Sequence, residues 1–105
     1  MKKPGLFSAK LREIARSIPK GKVTTYGRLA RAAGAGGQAA RSVSSILAKD
    51  PDYKSIPFHR IVYSSGKVWT NKDQNKQRVE KLRKEGVPID EKGRIEMFQD
   101  YLYLN

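Results

Sequence analysis

The sequence contains no cysteine. Disulfides, thiolate metal sites, thiol redox chemistry and every cysteine nucleophile are thereby excluded. Histidine is nearly absent as well: His59 stands alone, so a multi-histidine metal site cannot form, and the acidic residues show no clustered ligand spacing. We therefore expect neither a metal nor a cofactor. Long apolar runs are also missing. No window approaches the roughly 18 consecutive apolar residues of a membrane span, and Met1-Lys2-Lys3-Pro4-Gly5 leads into charged sequence rather than a signal-peptide core. A soluble intracellular protein without a membrane partner is expected.

At 105 residues the chain has room for one domain, taken as residues 1–105, with 38% hydrophobic residues to supply a modest core. Acidic residues are scarce where basic ones are plentiful. The formal charge is +12, and residues 1–49 hold 11 Lys or Arg against the single acid Glu13. Residues 50–105 hold 11 against 9. Such an excess rewards a polyanionic partner through phosphate neutralisation and counterion release, with nucleic acid ahead of an anionic membrane surface. A solubilising surface would mix its signs, so the asymmetry assigns the electrostatic footprint to the first half.

Periodicity places Phe7, Leu11, Ile14, Ala15 and Ile18 on one face of a first helix, stopped by Pro19. Lys20-Gly21-Lys22 reads as a turn and Val23-Thr24 as extended chain. Thr25 then caps a second helix from Tyr26 to Ala33, closed by Gly34. A third helix follows from Gln38 to Lys49, with Val43, Ile46 and Leu47 facing inward. Phe58 to Tyr63 and Lys67 to Trp69, around Ser64-Ser65-Gly66, read as a β-hairpin or an extended loop. A fourth helix runs from Asp73 to Gly86, and the tail from Gly93 reads as short strand or docked coil. The fold class expected is mainly α with a short β-hairpin.

Two short helices joined by a glycine-containing turn in the basic half read as a helix-turn-helix, winged-helix-like DNA-binding domain. The outward face of its second helix offers Ala40, Arg41, Ser44, Ser45 and Ala48. Small side chains let a backbone come close to a sugar-phosphate wall, and Arg41 alone projects deeply. An Ala/Ser-rich solvent face would have the same spacing.

Three blocks carry a resemblance: Ile18-Pro19-Lys20-Gly21-Lys22-Val23-Thr24-Thr25-Tyr26-Gly27, then Ala39-Ala40-Arg41-Ser42-Val43, then Ile56-Pro57-Phe58-His59-Arg60-Ile61-Val62. In order and spacing they closely resemble the C-terminal domain of O6-alkylguanine-DNA alkyltransferases, over about residues 5 to 86. In those enzymes a cysteine between the proline and the histidine accepts the alkyl group. Here that position is Phe58, and a phenyl ring has neither a nucleophilic lone pair nor a proton to surrender. The departure resembles the alkyltransferase-like proteins, which by that resemblance bind alkylated guanine in duplex DNA without repairing it and hand it to nucleotide excision repair. The catalytic set is therefore expected to be empty.

Where residues match, the resemblance implies roles. Tyr26 presses on the DNA backbone and turns the target nucleotide outward, the alternative being a buried tyrosine with a bonded hydroxyl. Arg41 fills the vacancy in the base stack, the alternative being a phosphate contact. Lys22, Thr25, Ala40, Ser44 and Ser45 complete the expected DNA surface. Phe58, Tyr26, His59, Arg60, Val62, Trp69 and Asn71 form the expected lesion pocket, with Phe58 as an apolar wall for the alkyl group. His59 holds the loop or bonds the ligand, and Arg60 ties strand to helix. Glu85 is either part of that network or an exposed helix-end carboxylate. Asp50 stands where many relatives have asparagine, and lacks its donors. Asn71 falls where some relatives carry an arginine over the flipped base.

The reading is a monomeric, non-enzymatic sensor of O6-alkylguanine in double-stranded DNA, acting from the minor groove, with nucleotide excision repair proteins as further partners. It would reside in the cytoplasm on a bacterial nucleoid, or in a nucleus. Two rivals remain: a winged-helix-like protein that reads undamaged sequence, and a hydrolytic dealkylase with His59 as base.

Overall fold

The computed structural model describes residues 5–35, 39–68 and 72–104. Helix α1 (Gly5–Arg16) turns Leu11 and Ala15 fully inward, and the next apolar step, Ile18, is buried just beyond its end. The Ser17 hydroxyl donates to the Ile14 carbonyl at 2.6 Å beside the Ser17 N–H at 3.0 Å, and Pro19 prevents continuation. A two-residue strand β1 (Thr24–Thr25) leads directly into α2 (Tyr26–Ala32), followed by α3 (Ala40–Ala48). As the sequence implies, Thr25 caps α2: its hydroxyl accepts the Arg28 N–H at 3.2 Å. Gly34, at φ +98, closes the helix in a conformation that a side chain disfavours.

Beyond α3 come two single 3-10 turns, Tyr53–Ser55 and Phe58–Arg60, then strand β2 (Ile61–Val62), helix α4 (Lys72–Lys84) and a four-residue helix α5 (Phe98–Tyr101). β2 pairs in parallel with β1, Thr24 beside Ile61 and Thr25 beside Val62. Phe58–Arg60 is thus a turn rather than the first half of a hairpin. The chain does reverse at Ser64-Ser65-Gly66, where the Tyr63 N–H donates to the Lys67 carbonyl at 2.9 Å. Lys67 then bridges Arg94 in the tail. The tail also forms an outer rung beside β1: Val23 N–H donates to the Tyr101 carbonyl at 2.8 Å, and Tyr103 N–H to the Val23 carbonyl at 2.7 Å.

Successive strand residues point to opposite faces. Ile61 accordingly joins the core cluster of α1, α2 and α3, while Val62 joins a second cluster with Val23, Val68, Val79, Leu82 and Val87. The short sheet is the partition between the two. An acid pins the corner after α3. Asp50 is 6% exposed and accepts from the Asp52 N–H at 2.8 Å and from Arg16 of α1 at 2.9 Å, with Arg12 at 3.5 Å. The Asp52 N–H, ahead of the two guanidinium groups, holds its carboxyl below the usual range. Two arginines four apart on α1 thus match this aspartate.

Leu47, 0% exposed between α1 and α2, reports the first cluster. Leu47→Ala is expected to lower unfolding free energy by about 2–5 kcal/mol in urea titrations. A loss under about 1 kcal/mol would contradict the packing described. Asp50→Asn is expected to lower the melting temperature, because both arginine partners lose their counter-charge.

Candidate nucleic-acid interface

α2 and α3 pack against each other as the expected helix pair, and Tyr26 is the first residue of α2 because β1 runs into the helix with no intervening turn. Tyr26 is partly buried and faces α3. Its ring centroid lies 5.9 Å from that of Tyr63. Burial pushes the Tyr26 hydroxyl pKa up, opposed by hydrogen bonds from the Ser44 and Arg78 side chains. Tyr26, Ala40, Arg41, Ser44 and Tyr63 line a hollow of about 300 Å³. Arg41 and Ser45 are exposed on α3, whereas Ala40 and Ser44 are half-buried. Four of the expected DNA-surface residues therefore meet around one depression.

Thr25 lines an adjoining hollow with Tyr26, Ala40 and Tyr63, and Lys22 lies apart. Thr25 is 3% exposed and its hydroxyl is engaged in capping α2. Lys22 extends toward the tail, where Nζ donates to the Asp100 carbonyl at 3.2 Å.

Phe58 heads its turn with its ring half-buried against the first core cluster. Ile56 and Phe58 give an apolar floor to a cavity of about 350 Å³, flanked by Tyr53. Its polar walls are Lys54, His59, Gln77, Arg78 and Lys81. The volume falls within the roughly 300–1,000 Å³ of small-ligand sites. The Arg78 guanidinium lies 6.0 Å from the centre of the Phe58 ring, within reach of a cation–π contact. Arg78 also bonds Tyr26, so one side chain links the start of the helix pair to the cavity floor.

Of the expected pocket, Phe58 and His59 line this cavity. Tyr26 joins it through Arg78, while Arg60 is turned away and Val62 is 0% exposed in the second core cluster. Val62 closes the motif block in sequence, but the parallel pairing turns it into the core. Trp69 and Asn71 lie outside the described residues. Tyr53, Lys54, Gln77, Arg78 and Lys81 were not anticipated. Arg78 and Lys81 sit one turn apart on α4, a spacing visible in the sequence, but nothing local indicates that α4 faces the Phe58 turn.

Behind the cavity lies a charged hub. Glu85, just past α4, accepts from Arg60 Nε at 3.0 Å and Nη2 at 2.7 Å, and from the Gly21 N–H at 3.0 Å. Its Oε2 is 2.8 Å from His59 Nε2. Arg60 additionally donates to the Ile18 carbonyl at 3.0 Å. The Glu85 side chain is only 8% exposed, so the network alternative holds and the exposed one does not. Burial alone would raise its pKa, but the hydrogen bonds from Arg60, Gly21 and His59 outweigh it and hold the carboxyl at about 2. Burial depresses His59 below its ordinary 6.5, with Arg60 and Lys81 adding to it and Glu85 opposing. Among the described residues no group of acids and histidines could hold a metal ion.

Both groups bind protons more weakly folded than unfolded. Their contributions are complete above the unfolded values and are lost as pH falls, His59 from about 6.5 downward and Glu85 between 4.5 and about 2. Glu85→Gln is expected to cost about 3–5 kcal/mol near neutral pH, because the enclosed Arg60 guanidinium loses its counter-charge. It should also flatten the stability loss below pH 4.5 in urea titrations. A variant that tracks the wild type across that range would contradict the assignment.

Residues 6–87 match the family model described as 6-O-methylguanine DNA methyltransferase, DNA binding domain. The chain is 37% identical over 98 residues to a DNA base-flipping protein of Escherichia coli (strain K12), covering 92% of this chain and 74% of that protein. It is 37% identical over 90 residues to a DNA base-flipping protein of Vibrio parahaemolyticus, covering 85% and 88% respectively. Its fold superposes on the crystal structure of S. pombe Atl1 in complex with damaged DNA containing O6-carboxymethylguanine, with a TM-score of 0.78, 25% identity and full coverage of both chains. With its motif blocks in place on this helix pair and turn, the chain belongs to the family of 6-O-methylguanine DNA methyltransferase DNA-binding domains.

Proposed function

We propose that this protein binds duplex DNA at O6-alkylguanine, extrudes the damaged nucleotide and retains it beside Phe58 without removing the alkyl group. The observation that carries the reading is Phe58 itself: an inert ring, where the resemblance would put the nucleophile, on the floor of a cavity of about 350 Å³ rather than filling a closed core. An acyl or alkyl acceptor needs a lone pair at this point, and none is present. The relatives named as base-flipping proteins, and the neighbour solved on damaged DNA, support the same reading.

In this reading the α2–α3 pair docks in the minor groove. The half-buried Ala40 and Ser44 allow close approach, exposed Arg41 enters the base stack, and Tyr26 presses on the backbone. Extrusion costs a few kcal/mol, less where alkylation has already weakened pairing, so the lesion contributes to its own selection. The protein acts as a monomer through one domain, and the persistent complex marks the site for nucleotide excision repair proteins. The charge excess supplies lesion-independent affinity that falls steeply with salt.

The test is binding to one duplex with and without O6-methylguanine at fixed ionic strength, followed by analysis of the recovered base. Preferential binding with the methyl group still on guanine is expected. Equal binding would favour a reader of undamaged sequence, and restored guanine with turnover would favour hydrolysis by the His59–Glu85 pair. Arg41→Ala is expected to reduce the lesion-to-guanine affinity ratio by about ten-fold or more while lowering affinity for undamaged duplex less, since loss of a stacked, hydrogen-bonded arginine is worth about 1–3 kcal/mol. Parallel losses on both duplexes would make Arg41 a phosphate contact.

A further inference from the structure

The walls of the cavity beside Phe58 carry charge of one sign. Lys54 approaches from the turn after α3, and Arg78 and Lys81 from α4. His59 adds a polar ring, and among the described residues lining the cavity none is acidic. Glu85, the nearby carboxylate, does not offset these cations, because Arg60, His59 and the Gly21 N–H already engage it. Arg78 is half-buried and braced between the Phe58 ring and Tyr26, so its fork of donors is held in place before a ligand arrives.

An alkyl group needs only the apolar floor of Ile56 and Phe58. Three cations around that floor exceed what methyl or ethyl requires. We propose that the cavity favours O6 adducts bearing a negative charge, the carboxymethyl type, over neutral adducts of the same size. The guanine O6 substituent rests on Phe58, and its terminal carboxylate meets Arg78 with Lys54 and Lys81 at the rim. The inference rests on the proposed retention of O6-alkylguanine beside Phe58.

The competing use of these cations is contact with a DNA phosphate, which would strengthen binding to every duplex alike. The experiment therefore measures affinity for four duplexes of one sequence at one ionic strength, carrying guanine, O6-methylguanine, O6-carboxymethylguanine or its neutral isostere O6-carbamoylmethylguanine. For the wild type the carboxymethyl duplex is expected to bind at least about three-fold more tightly than the carbamoylmethyl duplex, the scale of a favourable partly exposed ion pair. Lys54→Gln combined with Lys81→Gln should bring that ratio close to one, whereas Lys67→Gln combined with Lys92→Gln, which removes the same charge away from the cavity, should leave it unchanged. Equal binding of the charged and neutral adducts by the wild type overturns the proposal, and this needs no variant. A double variant that weakens all four duplexes in parallel also overturns it. Loss of discrimination between methylguanine and guanine, by contrast, would bring down the retention reading itself.

Discussion

One carboxylate fixes the relation between the parts of this molecule that would meet DNA. Glu85 draws together the Gly21 amide, the His59 ring and the Arg60 guanidinium, and Arg60 passes the restraint on to the Ile18 carbonyl. These contacts join the turn before β1, the turn carrying Phe58 and the end of α4. Gly21 sits at φ +81, where a Cβ would lie 3.3 Å from the Glu85 backbone carbonyl. Glycine is needed there both for its dihedral and for the approach that lets its N–H reach the carboxylate. Charges this well enclosed are costly unless matched, so the hub behaves as a unit, and Phe58 rides on it.

The hub also explains why the family's histidine and glutamate remain useful beside a phenyl ring. In the resemblance the histidine serves a thiol. Here His59 braces the turn from below while presenting an edge to the cavity, and Glu85 anchors three segments. The network holds these segments together whatever side chain occupies position 58. Asp50 is a second such anchor: its carboxylate is matched by Arg12 and Arg16, two residues outside any motif block.

Much of the helical frame was legible because its signals are local. Pro19, Thr25 and Gly34 punctuate, and Leu11, Ala15, Val43 and Leu47 recur at helical spacing. The parallel pairing of Thr24–Thr25 with Ile61–Val62 was not, since its partners are brought together by the intervening helices and no turn residue announces it. That one pairing decides the fate of Val62 and replaces the anticipated hairpin. Phe58 and Arg41 could be singled out from their motif blocks, whereas the cavity walls were hidden for a physical reason. Lys54, Arg78 and Lys81 come from separate segments, and solvated basic residues look alike in a chain with 22 of them.

The strand at Val23–Thr25 is held along both edges, by Ile61–Val62 on one and by residues 101–103 on the other. The residue that opens the helix pair, Tyr26, is therefore seated by partners synthesised long after it. During translation the first half of the chain can form helices early, but it cannot acquire its final seat until the tail has left the ribosome. Residues 101–103 are thus part of what seats the residue that would touch the duplex, although they are far from it in sequence.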